Sequence, residues 1–155
     1  MPDLADFVKA NAGDAVISYA GGTVGTPGAY DAIGCPKNDW TFARSRDEVN
    51  DDIDNWCIQA GDSTVIDSFT PGPLNLTIDG DMELILDDAA YLAIIAAMEG
   101  ADLGFFKRDL TNVGDTQTQT LEWGGYLTNV TENIRGQGTS DVSVSFRANE
   151  IVAQS

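Results

Sequence analysis

The chain has 155 residues, 43% of them hydrophobic, which suits a single domain with a sizeable core and excludes wholesale disorder. Its 25 acidic residues outweigh 8 basic ones for a net charge of −17, and histidine is absent. Such a surface repels nucleic-acid phosphates, and the commonest general base and metal ligand near neutral pH is missing.

Residues 3–11 pattern as a short helix, with Leu4, Phe7 and Val8 on one face, and residues 1–13 read as an N-terminal arm. Its start, Met1-Pro2-Asp3-Leu4, lacks the basic region of a secretory signal, so none is expected. Residues 15–19 read as a strand. Gly21-Gly22-Thr23-Val24-Gly25-Thr26-Pro27-Gly28 follows as a loop. It is not a phosphate cradle: Pro27 and Gly28 break regular structure, no helix begins there, and no Gly-Lys-Ser/Thr occurs. Trp40, Phe42 and Ser45 mark a strand over 40–48.

A charged excursion overlaps the end of that strand. It carries Arg44, Arg46, Asp47, Glu48, Asp51, Asp52 and Asp54, with Ile53 and Trp56 embedded, and reads as a long inter-strand loop over 44–67. Asp51, Asp52 and Asp54 do not form a calcium loop, because no register supplies both the required glycine and the closing glutamate. Cys35 and Cys57 read as buried free thiols, with a disulfide between them as the alternative.

Pro71-Gly72-Pro73 reads as a turn. Leu74, Leu76 and Ile78, then Met82, Leu84 and Leu86, alternate with other residues as a strand with one buried face, bent or bulged at Gly80. Asp87 or Asp88 caps a helix over about 88–98, which Gly100 ends. Tyr91, Leu92, Ile94, Ile95 and Met98 make that helix apolar nearly all round, so it is expected to be buried on most sides, against its own sheet and a neighbouring subunit. A strand is expected over 103–107 and a longer one over 116–128, which continues extended through 130–134, with Gly124-Gly125 allowing a bend or a close backbone approach. After a turn at Gly136-Gln137-Gly138, Val142, Val144 and Phe146 alternate inward over 141–147, and 149–155 reads as a tail.

Little of this chemistry suits an enzyme. Without histidine there is no Ser–His–Asp or Cys–His site, and two cysteines cannot complete a zinc site. Paired carboxylates are the remaining enzymatic option, but with so many acids chance pairs carry no information. No catalytic, cofactor-binding or metal residue is therefore assigned. No apolar run reaches the roughly 20 residues that cross a bilayer, so no membrane segment is expected.

The order of these features resembles the tail tube (major tail) proteins of long, flexible-tailed bacteriophages over about residues 40–152. It rests on the charged excursion after the Trp40 strand, Pro71-Gly72-Pro73-Leu74-Asn75-Leu76-Thr77-Ile78, the 88–98 helix and Gly104-Phe105-Phe106-Lys107. It continues through Trp123-Gly124-Gly125-Tyr126-Leu127-Thr128-Asn129-Val130 to the closing strand Asp141-Val142-Ser143-Val144-Ser145-Phe146-Arg147. The resemblance implies a mainly β fold, a barrel or sandwich of two packed antiparallel sheets with one flanking helix. It also implies hexameric rings that stack into a hollow tube, through which DNA passes without specific binding. Tape-measure, tail-tip and tail-terminator proteins are the implied partners, and the virion, assembled in the host cytoplasm, the implied location. The 44–67 loop matches the segment that reaches the neighbouring ring, which makes Arg44, Arg46, Asp47, Glu48, Asp51, Asp52, Ile53, Asp54 and Trp56 the expected stacking residues. The alternatives are a tail terminator, an injection-system tube, or a small-ligand-binding β-barrel.

Overall fold

Alternating apolar residues become strands because a pleated chain sends successive side chains to opposite faces. The computed structural model describes residues 15–50, 69–111 and 118–154. The strands are β1 (Ala15–Thr23), β2 (Thr26–Pro27), β3 (Asp31–Ala32), β4 (Pro36–Asn50) and β5 (Phe69–Glu83). Helix α1 (Ala89–Gly100) follows, then β6 (Gly104–Thr111), β7 (Thr118–Asn133) and β8 (Asp141–Gln154). They form one eight-stranded sheet in the order β2-β1-β6-β7-β8-β5-β4, with β3 beside β1. Every pairing is antiparallel.

The two packed layers expected from the sequence are two halves of this one sheet. Phe42 on β4 and Trp123 on β7 are separated in the sheet order by β5 and β8. In a flat sheet they would lie about 14 Å apart, at about 4.8 Å per strand. Their rings instead meet edge-on at 5.8 Å. The sheet curls until its two walls face each other across Ile78, Met82, Phe106, Trp123, Val144 and Phe146, all buried. Phe106 sits at the centre, edge-on to Tyr19 and Phe146 at 4.9 Å each. Burying each such side chain contributes roughly 2 kcal/mol.

Helix α1 covers the core at one end of the strands. Asp88 caps it, accepting from the Ala90 N–H at 3.2 Å, and its other oxygen accepts from the Gly34 N–H at 3.2 Å. Ala90, Tyr91, Ile94 and Ala97 form the buried stripe. Leu92 is 52% exposed and Met98 37%, so the opposite face is open in the single chain rather than buried on most sides. Gly100 is the last helical residue, and the left-handed position that ends the helix falls on Ala101.

Other expectations need correction. Residues 21–27 are not an open loop; they make a hairpin of β1 with β2, turned at Gly25 with positive φ. Pro71-Gly72-Pro73 is not a turn but part of β5. Its pairing with β4 skips register between Arg46 and Glu48, and a Cβ on Gly72 would sit 2.5 Å from the Asp47 carbonyl oxygen. Pairing of β5 with β8 begins at Leu76, so neither proline withholds an N–H from that ladder. The bulge or bend expected at Gly80 appears as a register shift opposite it: β4 carries the extra residues between Lys37, paired with Asp81, and Thr41, paired with Asp79, while the pairing of β5 with β8 runs through Gly80 without a break. Strand β5 stops at Glu83, leaving Leu86 exposed. The extended run expected from 116 to 134 is one strand over 118–133, whereas β8 continues to Gln154 through the expected tail, pairing with Leu121. Cys35 is a free thiol but only half-buried. Cys57 and the expected 3–11 helix lie outside the described residues.

Candidate assembly surfaces

The register fixes which strand ends lie together. Ala15 pairs with Leu110, Leu110 with Gln119, and Leu121 with Gln154. Phe69 pairs with Asn50 at the same end of β5 and β4. Residues 1–14, 51–68 and 112–117 therefore all attach at one end of the sheet. Helix α1 leaves from the other, after Glu83.

Of the expected stacking residues, Arg44, Arg46, Asp47 and Glu48 lie on β4, which remains a paired strand up to Asn50. The 44–67 loop therefore begins later than the charge pattern suggested. Asp51, Asp52, Ile53, Asp54 and Trp56 lie outside the described residues. Arg44 follows Trp40 and Phe42 on the core-facing side of β4, and its guanidinium lies 5.1 Å from the Trp123 ring centroid. Arg108 follows Phe106 on β6 in the same way and lies 5.4 Å from the Phe42 ring. The barrel core thus ends, opposite α1, in two arginines laid over aromatic faces.

Their electrostatics are unusual for so acidic a chain. Among the described residues, no carboxylate lies within salt-bridge distance of Arg44 or Arg108. Arg108 donates to the Gln119 Oε1 at 2.9 Å, while its Nε is buried without a hydrogen-bond partner there. Burial, and then the like charge of Arg44, lowers the Arg108 pKa from its usual value. Arg46 instead donates to the Gly72 carbonyl at 3.0 Å, and Asp47 accepts from Asn75 at 3.4 Å. Sequence reasoning missed Arg108; its signal was a cation placed two residues after buried Phe106, at an inward position.

Two further surfaces complete the set. β4 is one margin of the sheet, β2 and β3 beside β1 make the other, and β1 does not pair with β4. Between them opens a cleft of about 810 Å³, lined by Ile17, Trp40, Phe42, Arg108 and Leu110 among others. The outward face of β5 and β8 carries a ladder of acids and hydroxyls: Ser143 donates to Asp81 and Ser145 to Asp79, each at 2.7 Å. Lys37 bridges to Asp141 at 2.7 Å and holds that carboxyl below its usual pKa. Among the described residues, no group of three or more potential ligands is arranged to hold a metal.

No family model matches the chain, and no curated protein does. Solved structures do. The SPP1 tail tube, from solid-state NMR and cryo-electron microscopy, superposes with a TM-score of 0.69 at 14% identity, over 94% of this chain and 77% of that one. The tail of an empty GTA particle, refined with C6 symmetry, gives 0.58 at 13% identity, over 94% and 96%. The sheath–tube complex of PVC, an extracellular contractile injection system, gives 0.57 at 11% identity, over 96% and 93%.

The chain has the tail-tube fold. Within this tail-tube fold, the outer edge of β4, the arginine-capped end and the exposed stripe of α1 are among the surfaces the described residues leave uncovered.

Proposed function

We propose that the chain is the structural subunit of a phage or phage-like tail tube. Copies of it form hexameric rings, and the rings stack into a hollow tube that delivers DNA. The observation that carries this reading is the match of at least 94% of the chain to tail and tube structures from three different particles. Physical features support it. The outer edge of β4, which pairs with no other described strand, is suited to joining subunits edge to edge, which removes an exposed strand edge. An acidic surface, with Asp79 and Asp81 among its members, suits a lumen that DNA must pass without adhering. The 51–68 segment, placed beyond the end of β4, is the ring-stacking contact, with Ile53 and Trp56 as apolar anchors. Such a role requires no catalysis and no cofactor. Tape-measure, tail-tip and terminator proteins are its partners, and the virion its location.

The match to the PVC tube favours a second reading, the inner tube of a contractile particle. Negative-stain microscopy and light scattering of the purified protein test the assembly. Rings and tubes are expected. A strict monomer at high concentration overturns the proposal, and rings that never stack indicate a terminator instead.

A further inference from the structure

We propose that the Tyr126–Asn133 half of β7 pairs, antiparallel, with the outer edge of β4 in a second copy of this chain, so that β4, β5, β8 and β7 of successive copies form one continuous wall. The proposal rests on the edge-to-edge reading above and names the second edge. That edge follows from the register. Strand β6 pairs with β7 only from Thr118 to Gly125, whereas β8 pairs with it from Leu121 to Asn133. Beyond Gly125, β7 therefore has no described strand on its β6 side. Helix α1 meets this half through Tyr91, which bonds to Glu132, the residue opposite buried Val142. Thr128, Asn129 and Thr131 stay exposed. The edge of β4 is equally open: β5 is its one described partner, and a cleft of about 810 Å³ separates it from β1.

Unpaired edges invite association, and proteins that stay apart blunt them with proline or lysine. Neither residue occurs in 126–133 or in 41–50. Direction fits as well. In the order β7-β8-β5-β4 every neighbour is antiparallel, so β7 and β4 run opposite ways. Copies related by rotation about an axis along the strands keep those directions, and β7 of one then meets β4 of the next antiparallel. The two edges are unlike, so the contact is heterologous, and a rotation that closes it makes a ring. Side chains match across the join. Tyr126, 44% exposed on the outward face, would lie beside the small outward residues Thr41, Ala43 and Ser45 of β4. In such a ring β1, β6 and α1 lie behind the wall and need the larger, outer circumference. The opposite face, with Asp79, Asp81, Ser143 and Ser145, is then the wall of the lumen.

Hydrogen exchange of the full-length wild-type protein tests the edges. Amides of 126–133 that point away from β8, and those of 41–48 that point away from β5, should exchange about tenfold or more slowly in assembled rings or tubes than in the dissociated subunit. Unchanged exchange at either edge overturns the proposal. A cysteine scan tests which edge meets which. Asn129→Cys chains lacking the native cysteines are assembled with chains carrying Thr41→Cys, Ala43→Cys or Ser45→Cys. Directly opposed residues share a face, so oxidation should join Asn129→Cys to at least one of these outward positions and leave the inward Arg44→Cys unlinked. Slowed exchange with no link to any outward position overturns the pairing. So does a link to Arg44→Cys alone, because a slip of one residue sends every side chain to the other face. Where a cysteine chain does not assemble, the wild-type exchange at the two edges decides. Wild-type protein that stays monomeric sinks the proposed function itself, whereas assembled protein with an unprotected or unlinked edge sinks only this pairing.

Discussion

Gly80 has no side chain because Trp40 occupies that space: a Cβ there would land inside the indole. The ring cannot easily withdraw, since its Nε1–H donates to the Asp81 carbonyl at 2.9 Å. Gly80→Ala should therefore destabilise the chain by about 1–3 kcal/mol in urea unfolding, the usual cost of overpacking. Gly136, where an added Cβ meets nothing within 4 Å, is the control, and Gly136→Ala should be close to neutral. Sequence alone marked Gly80 as special but assigned it to the backbone of its own strand. The demand comes from a residue forty positions earlier, which no local pattern reports. The same limit hid the arginine pair. An arginine at an inward strand position reads as a break in amphipathicity, whereas here its planar cation lies on a buried indole and closes the core.

At the scale of elements, the Tyr91 hydroxyl ties the helix to the sheet by donating to Glu132 on β7. That hydrogen bond, with burial behind it, pushes the Tyr91 pKa up to about 12. A tyrosine raised above its unfolded value near 10 contributes stability that is complete below about pH 10 and is lost as pH rises through about 12. Wild-type stability should fall more steeply over that window than that of Tyr91→Phe, in urea unfolding series at pH 9 and above. Tyr19, raised to about 12 by burial and then by Asp102, is present in both chains and cancels. Parallel slopes would refute the tie. Much at this scale was legible. The Asp88 cap, the alternation of Leu76 with Ile78, and that of Val142, Val144 and Phe146 all appear where the residues put them. The errors fell where propensity and pairing disagree. Pro71-Gly72-Pro73 has turn composition, yet it lies in a strand whose second ladder has not begun, and residues 149–154 lack clean alternation but are held by β7.

At the scale of the whole molecule, three chain segments leave one end of the sheet and the helix leaves the other. If the 51–68 segment joins successive rings, Asp51→Ser, Asp52→Ser and Asp54→Ser together should shorten or destabilise the tubes, as electron microscopy would show. Tubes of normal length and salt resistance would refute that role. The general plan of strands and one helix was readable from the sequence, because period-two patterning and a cap suffice for it. How the sheet curls was not, because curling depends on bulges and on aromatic contacts between distant strands. The cleft between β1 and β4 has a mechanical consequence. A cylinder slit along its length twists far more readily than a closed one. Where no ladder joins β1 to β4, twisting is expected to be taken up by side chains sliding past each other before ladder hydrogen bonds break.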